Sequence, residues 1–366
     1  MAATAARPRE APRRSRPIRL LIVDDSAVAR AVLSRMLLAR DDFEVVAEAS
    51  NASDALAALS RVRVDIVLLD VEMPGGSGID ALPAILKAGQ GARVLIVSSL
   101  ADDGAEATVR ALALGAADTL PKPGVGSFGG RFSDILAERL RRIGRAACGD
   151  DGPSPQARVE EGPALRLRAM AHAPLSCLAI GASTGGLHAL AEFLKALPPR
   201  IGAPILVTQH LPPVFMPFFA TQLEAASGRR AVVAEEGMPL RSERIFLAPG
   251  DAHLRVVRAP DGGAVVRLTH ERVANGCLPS ADPMFEAVAE TYGAGGLGMV
   301  LSGMGRDGAA GAACLLAAGG SVLAQDKATS AVWGMPRAVA EAGLCAAVLP
   351  PAALASCVAE RVARWS

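Results

Sequence analysis

One serine lies in a short glycine-rich segment where its hydroxyl could act as a nucleophile. The segment GASTG (residues 181–185) fits the pattern G-x-S-x-G and separates an apolar run, CLAIG, from a helical pattern. Small neighbours permit a tight turn from strand to helix, which exposes Ser183 beside backbone N–H groups at the positive helix end. Those N–H groups can hold a developing oxyanion. Because such turns also occur without catalysis, the pattern alone leaves both interpretations equally open.

A serine nucleophile needs a general base, and the chain has five histidines. His210 directly follows the apolar run APILVTQ, at the sheet edge where Ser183 is expected, so we predict His210 as the base. His188 falls roughly one and a half turns into the helix after Ser183 and is poorly aimed back at it. The other three lie in a predicted linker or around a predicted hairpin, where surface or core packing is expected: His172, His253 and His270.

The base in turn needs a carboxylate that orients its imidazole and stabilises the charged form. The run LGMVLSGMGRDG passes from a strand into a glycine-rich loop and places Asp307 at a helix start. A helix N-cap is the competing role for Asp307, and both roles stay open. The order Ser, His, Asp differs from the Ser, Asp, His order of ordinary α/β-hydrolases, which argues against a lipase-like fold.

A second group of reactive side chains follows the strands predicted in the first part of the chain. Asp24 and Asp25 end the first strand, Asp70 the third, Ser98 the fourth and Lys122 the fifth. One aspartate at a strand end is usually a cap or a loop residue, but the set together favours a site. Three converging carboxylates need a cation, and an oxygen cluster suits Mg²⁺. Such a cluster can accept a phosphoryl group on a carboxylate.

The elements that position both groups predict two doubly wound α/β domains with parallel sheets. Short β-branched runs alternate with helical patterns, and runs that are apolar almost throughout indicate sheets covered on both faces. The second domain carries an insert, HLRVVRAPDGGAVVRLT, that predicts a β-hairpin. We predict a disordered basic tail over 1–17, the first domain over 18–147, a linker over 148–174 and the second domain over 175–366.

Composition limits the class of protein. The chain of 366 residues is 51% hydrophobic and 20% charged with a net charge of +1, so it is globular, and nothing in its charge predicts a nucleic-acid partner. Six scattered cysteines favour neither a disulfide framework nor a zinc site. No apolar stretch of about twenty residues exists, so no membrane insertion is predicted. A cytoplasmic location is expected, and the Arg-rich start is interpreted as a solvated tail.

The first domain resembles the response-regulator receiver family across residues 18–147, through the motifs VDD, LLDVEMPGGSGID, VSSL and PKP. The resemblance implies a flavodoxin-like receiver with Asp70 as phosphoacceptor. It implies that Asp25, Asp70 and the Glu72 backbone carbonyl bind Mg²⁺, with Asp24 supporting the metal. It also implies that Ser98 and Lys122 act as the switch residues that respond to the phosphoryl group.

The second domain resembles the chemotaxis protein-glutamate methylesterase family over residues 175–349, through GASTGG, QHLPPVF, IFLAPGDAHL, GMGRDG and AQDKATSAVWGMPRAV. The resemblance implies a Ser183–His210–Asp307 triad that hydrolyses glutamate methyl esters and also deamidates glutamine. The backbone N–H groups of Thr184 and Met304 would bind the oxyanion.

The same resemblance implies partners and regulation. The substrates would be methyl-accepting chemotaxis receptors, and a chemotaxis histidine kinase would phosphorylate the receiver, which obstructs the active site until then. No cofactor is expected for the ester chemistry, and a monomer is expected. Two alternatives stay open: an interaction protein without activity, and a signalling hydrolase outside chemotaxis.

Two departures from the family pattern bear on substrate choice. Leu278 begins the run LPSAD where the family usually has Arg, and Met216-Pro217 replaces a Thr-containing stretch. Both are expected to line the substrate groove, and the triad residues are unaffected.

Overall fold

The first domain is built on a five-stranded parallel sheet. The computed structural model describes residues 16–73, 77–98, 102–122, 130–147 and 165–365. The strand order of this sheet is β2-β1-β3-β4-β5: β2 lies on one side of β1, and β3, β4 and β5 follow on the other side. The strands are β1 (Ile18–Val23), β2 (Phe43–Ala49), β3 (Ile66–Leu69), β4 (Arg93–Ser98) and β5 (Asp118–Pro121).

Five helices cover both faces of this sheet. They are α1 (Ala27–Leu38), α2 (Ala52–Arg61), α3 (Gly78–Ala88), α4 (Asp102–Ala113) and α5 (Gly130–Ala147). Side-chain caps start three of them: the side chains of Ser26, Asn51 and Ser77 accept backbone N–H groups of the first turns of α1, α2 and α3. All four residues of β3 are buried, as expected for a strand with helices on both faces.

The second domain contains a seven-stranded sheet, again entirely parallel, in the order β14-β13-β12-β6-β7-β9-β8. The strands are β6 (Cys177–Ala182), β7 (Ile205–Gln209), β8 (Ala231–Val233), β9 (Ile245–Leu247), β12 (Gly296–Val300), β13 (Ser321–Gln325) and β14 (Ala347–Leu349). The predicted hairpin forms from β10 (His253–Arg258) and β11 (Ala264–Thr269), which pair antiparallel. The prediction of two parallel α/β domains with a hairpin insert is confirmed.

Six α-helices pack on the second sheet. They are α6 (Gly186–Ala196), α7 (Met216–Ser227), α8 (Ala281–Tyr292), α9 (Ala309–Ala317), α10 (Met335–Glu341) and α11 (Pro351–Ala363), with short 3₁₀ turns at Pro213–Phe215 and Gly293–Gly295. One apolar cluster includes side chains of α6, α7 and α11, and the cluster on the other face includes those of α8 and α10. None of the helices in the described ranges has the length and hydropathy to cross a bilayer.

The segment before the second domain lies along that domain without regular secondary structure from residue 165 to 170. The Arg168 N–H donates to the Cys345 carbonyl at 2.9 Å, and the Ala171 N–H donates to Ser321 Oγ at 2.7 Å. The predicted linker therefore ends in a docked, extended stretch. The predicted tail up to residue 15, residues 148–164 and Ser366 lie outside the described residues, and the predicted domain boundaries stay predictions.

Candidate active site

The strand-to-helix turn after β6 is tight because its glycines leave no room for side chains. Gly185 has φ +72°, and a Cβ on it would lie 2.2 Å from Ala331 Cβ. A Cβ on Gly186 would lie 2.9 Å from the Ser302 carbonyl oxygen. The Ser183 carbonyl accepts the Gly186 N–H at 2.8 Å, which closes the turn. These contacts explain why the sequence has glycine at both positions after Thr184.

The neighbouring strand brings His210 to the same place. β6 and β7 pair in register with Ala182 opposite Gln209, so Ser183 and His210 are the first residues beyond the paired strand ends. The His210 N–H donates to the Ala182 carbonyl at 3.2 Å. The side chain of Gln209 donates to the Ser183 carbonyl at 2.9 Å and so fixes the nucleophile segment to the neighbouring strand. The convergence predicted from the strand ends is therefore present in the backbone.

His210 and Asp307 form a direct pair. His210 Nε2 donates to Asp307 Oδ2 at 2.7 Å, with 19% of the His210 side chain and 1% of the Asp307 side chain exposed. The hydroxyl of Ser183 makes no hydrogen bond within the described part of the chain. A carboxylate thus orients the imidazole, while the half-buried serine hydroxyl stays free to approach a substrate.

Asp307 is held as an anion by a dense set of donors. Its oxygens also accept hydrogen bonds from the side chains of Asn275 and Ser280 and from the backbone N–H groups of Ala281, Asp282 and Gly308. Burial alone would raise the pKa of the Asp307 carboxyl. His210 and the surrounding donors outweigh burial and lower that pKa to about 2. The carboxylate is therefore ionised at neutral pH and can stabilise a positive charge on the imidazole.

Two backbone N–H groups lie next to Ser183 along the chain or in the loop that packs against it. A Cβ on Gly303 would lie 2.9 Å from Ser183 Cβ, so the loop carrying Met304 passes directly against the serine. Among the described residues, neither the Thr184 N–H nor the Met304 N–H has a hydrogen-bond acceptor. Free N–H groups beside a nucleophile have the character of an oxyanion hole.

The acidic residues predicted in the first domain also converge. Carboxylate oxygens of Asp24, Asp25 and Asp70 lie within 4.8 Å of one another. Lys122 Nζ lies 2.5 Å from Asp70 Oδ2 and 2.8 Å from Asp24 Oδ2. Burial raises the pKa of the Asp70 carboxyl, with Lys122 opposing and Asp24 adding to the increase. Three carboxylates against one ammonium leave excess negative charge on an all-oxygen donor set, which fits a hard divalent cation.

Two further residues were predicted for the receiver site, Ser98 and Glu72. The side chain of Ser98 lies outside the described residues, so its predicted switch role stays a prediction. The Glu72 N–H donates to Asp70 Oδ1 at 3.3 Å, which places the Glu72 backbone beside the acidic cluster.

Comparison with known proteins finds relatives that match both domains. The family model for the response regulator receiver domain matches residues 20–126, and the one for CheB methylesterase matches residues 178–358. A protein-glutamate methylesterase/protein-glutamine glutaminase of Caulobacter vibrioides is 43% identical over 335 residues, covering 91% of this chain and 95% of that protein. The corresponding protein of Nocardioides sp. is 42% identical and covers 95% of this chain and 96% of its own length. This chain belongs to the protein-glutamate methylesterase/protein-glutamine glutaminase family.

A solved structure is also similar to the second domain. The methylesterase catalytic domain of Thermotoga maritima CheB is 34% identical, covers 51% of this chain and 99% of its own, and has a TM-score of 0.49. The relatives of full length, which carry the family assignment, match both domains in one chain.

In this methylesterase family member the two domains touch beside Ser183. The Gly185 N–H donates to the Ala117 carbonyl of the first domain at 2.8 Å. His188 Nδ1 donates to the Ala113 carbonyl at 2.9 Å, so His188 lies at the domain contact and not in the role of base. Thr184 Oγ1 lies 3.5 Å from Asp118 Oδ2. The end of α4 and the start of β5 therefore contact the residues that directly follow Ser183.

Three supporting residues were missed from the sequence of this esterase: Asn275, Ser280 and His253. The Ser280 N–H donates to His253 Nδ1 at 3.0 Å, while His253 Nε2 donates to the Glu271 carbonyl at 2.8 Å. This buried histidine thus fixes the backbone of Ser280, whose hydroxyl donates to Asp307 at 2.6 Å. Surface or core packing was expected for His253, and the structure shows core packing. Its hydrogen bond to Ser280 links it to Asp307. The run LPSAD was the one signal in the sequence that pointed to Ser280.

Leu278 and Met216, which depart from the family pattern, lie in different surroundings in this family member. Leu278 is 49% exposed in the loop before α8, directly after Cys277, and its expected place in the substrate groove stays a prediction. The expectation for Met216 is wrong, because its side chain is 1% exposed and packs in the core as the first residue of α7. Its apolar side chain is explained by burial.

Proposed function

We propose that this chain is a phosphorylation-controlled protein-glutamate methylesterase that also deamidates glutamine, acting on chemotaxis receptors through Ser183, His210 and Asp307. The observation that carries the proposal is the 2.7 Å hydrogen bond from His210 to Asp307 at the sheet edge where Ser183 follows the neighbouring strand. The names of the full-length relatives support the substrate class.

The proposed reaction is an acyl transfer through the serine. The Ser183 hydroxyl attacks the γ-carbonyl of a methylated glutamate while His210 takes the hydroxyl proton. The oxyanion is bound by the N–H groups of Thr184 and Met304. His210 returns the proton to the leaving methoxide, methanol departs, and water repeats the sequence to free the glutamate and Ser183. With glutamine as the substrate, ammonia leaves in place of methanol.

The proposed control site is the acidic cluster of the first domain. Asp70 would carry the phosphoryl group, donated by a chemotaxis histidine kinase. Asp24, Asp25, Asp70 and the Glu72 carbonyl would hold Mg²⁺, which when bound offsets negative charge on the phosphoryl oxygens. Lys122, already within hydrogen-bond distance of Asp70, would contact the phosphoryl group. Support comes from the charge excess and the oxygen donor set of this cluster.

The proposed regulation uses the domain contact beside Ser183. Contacts to Thr184, Gly185 and His188 place the first domain where a receptor helix would have to approach the nucleophile. Phosphorylation adds roughly two negative charges at Asp70, which can bias an interface with two states. We infer the domain division 18–147 and 175–366 because β1 to β5 form one sheet and the strands from β6 onward form others. The receptor substrate is inferred to lie on the cytoplasmic side of the membrane.

Replacement of Asp70 by asparagine is expected to abolish phosphoryl uptake from acetyl phosphate in the presence of Mg²⁺. The amide is nearly the same size as the carboxylate but is not a nucleophile for phosphorus, so the stimulation of methanol release should disappear as well. Phosphoryl uptake is measured by intact-protein mass spectrometry or a radiolabel, and methanol release with methylated receptor membranes.

Asp80→Asn is the matched control for this experiment, because Asp80 is an exposed carboxylate on α3 with 68% of its side chain accessible. The control should be labelled and stimulated like the original chain. Labelling that persists in Asp70→Asn would place the phosphoacceptor at another residue.

A further inference from the structure

A cysteine stands next to the His210–Asp307 pair. The thiol of Cys277, a ring nitrogen of His210 and a carboxylate oxygen of Asp307 all lie within 4.8 Å of one another. Cys277 belongs to the loop between β11 and α8 and is partly accessible, as is His210. Its N–H donates to the Asn275 side-chain oxygen at 2.8 Å, and Asn275 Nδ2 donates to Asp307. One residue thus ties the cysteine and the aspartate into the same arrangement.

The three side chains supply sulfur, nitrogen and oxygen, which are the three ligand types that Zn²⁺ takes in proteins. In a tetrahedral zinc site the ligand atoms stand about 3.3 to 3.7 Å apart. The His210–Asp307 separation of 2.7 Å would have to widen by about 0.6 Å. The Cys277 sulfur, within 4.8 Å of both other ligand atoms, would have to approach them by up to about 1.1 Å. Three protein ligands leave the fourth position open to water from the accessible side.

The local charge favours a cation at this cluster. Asn275 Nδ2 donates to both the Asp282 and the Asp307 carboxylates, so a second carboxylate lies close to the three side chains. Two carboxylates near the cluster stabilise a divalent cation. The acidic cluster of the first domain differs in kind, because it offers oxygen ligands alone.

We propose that His210, Cys277 and Asp307 form a binding site for a thiophilic divalent cation of the Zn²⁺ class, and that the bound metal reversibly inhibits the esterase. The metal takes a nitrogen of the imidazole and the carboxylate that orients it, so His210 can no longer accept the proton of Ser183. Cys277 releases its thiol proton to solvent and binds the metal as a thiolate, a role distinct from those of the residues in the hydrolytic reaction. The proposal has two halves. The binding half, that the metal binds here, rests on the geometry alone. The inhibition half, that the metal inhibits the esterase, rests on the proposed function.

The binding half is tested with Co²⁺, whose absorption spectrum reports a thiolate ligand and tetrahedral geometry. The full chain is titrated with Co²⁺ in excess Mg²⁺, which occupies the acidic cluster of the first domain. A thiolate-to-metal charge-transfer band is expected in the original chain and in Cys314→Ser, a control at an exposed cysteine of α9. The band is expected to be absent in Cys277→Ser. Absence of the band from the original chain, or its persistence in Cys277→Ser, would overturn the proposal.

The inhibition half is tested by methanol release from methylated receptor membranes over a Zn²⁺ series. Each variant is compared with its own metal-free rate, so differences in basal activity cancel. Cys277→Ser should need about tenfold more Zn²⁺ or higher for half-inhibition, since even outer partners of metal ligands affect affinity by this much. A chelator should restore the rate. Equal zinc sensitivity of Cys277→Ser and Cys314→Ser would overturn the inhibition half of the proposal. A Co²⁺ band in a chain that zinc does not inhibit would overturn it as well.

The experiments also distinguish failure of the proposed function from failure of the metal site. A metal-free chain that released no methanol in any variant would contradict the esterase proposal, while the Co²⁺ spectra would still decide whether the metal site exists.

Discussion

Replacement of Ser183 by alanine is expected to lower methanol release from methylated receptor membranes by about four orders of magnitude or more, as in other serine hydrolases that lose the nucleophile. Without the hydroxyl no acyl-enzyme can form, and His210 has no proton to accept. Glutamine deamidation should fall together with methanol release, because both reactions are assigned to one nucleophile.

The same substitution should leave the fold intact. The Ser183 hydroxyl makes no hydrogen bond within the described residues, so its loss is expected to change the free energy of unfolding by less than about 0.5 kcal/mol. Ser176→Ala is a matched control, since Ser176 is exposed and lies directly before β6, away from Ser183 at the other end of the strand. Undiminished methanol release by Ser183→Ala would remove this serine from the mechanism.

Asp307→Asn is expected to lower methanol release by about four orders of magnitude, close to the effect of the same change in other Ser-His-Asp enzymes. The asparagine retains the size of the side chain but provides no negative charge to stabilise the His210 imidazolium. It can also present an amide to Nε2, which favours the wrong tautomer. Methanol release with saturating substrate measures the effect, and Asp251→Asn, at an exposed loop position, is the control.

Asp307→Asn should also change the pH dependence of stability. The pKa of Asp307 is lowered from 3.8 to about 2, so its ionisation stabilises the fold by about 2 kcal/mol above pH 4, and this is lost as the pH falls toward 2. The variant should lack that part of the acid dependence and be less stable at pH 7. Urea unfolding at pH 7 and pH 3 measures both. A variant with full stability at pH 7 and an unchanged slope would contradict the role assigned to the donor set around Asp307.

Much of the candidate site could be predicted from the sequence, because its residues lie at the carboxyl ends of strands. In a parallel sheet the carboxyl ends of all strands meet at one edge, so Ser183 after β6 and His210 after β7 had to be near one another once the strands were assigned. The same reasoning brought Asp24, Asp70 and Lys122 together in the first domain. Periodicity and position in the sheet were enough in both cases.

Other parts of the site depend on tertiary structure that periodicity does not encode. Asn275, Cys277 and Ser280 reach Asp307 and its surroundings from an irregular loop, whose path is set by its own hydrogen bonds to His253 and Asn275. The burial of Met216 follows from the packing of α7, which a comparison of motifs does not describe. The contact of Ala117 with Gly185 joins two domains far apart in sequence.

The most direct test of the Ser183–His210–Asp307 triad is labelling with a serine-directed phosphonate. The full chain is first phosphorylated with acetyl phosphate and Mg²⁺ and then treated with the phosphonate. The modified peptide is mapped by mass spectrometry. A working triad should give one adduct, on Ser183, which forms far more slowly in His210→Ala. An adduct on a different serine, or labelling at the same rate without His210, would contradict the central claim that these two side chains and Asp307 form a working triad.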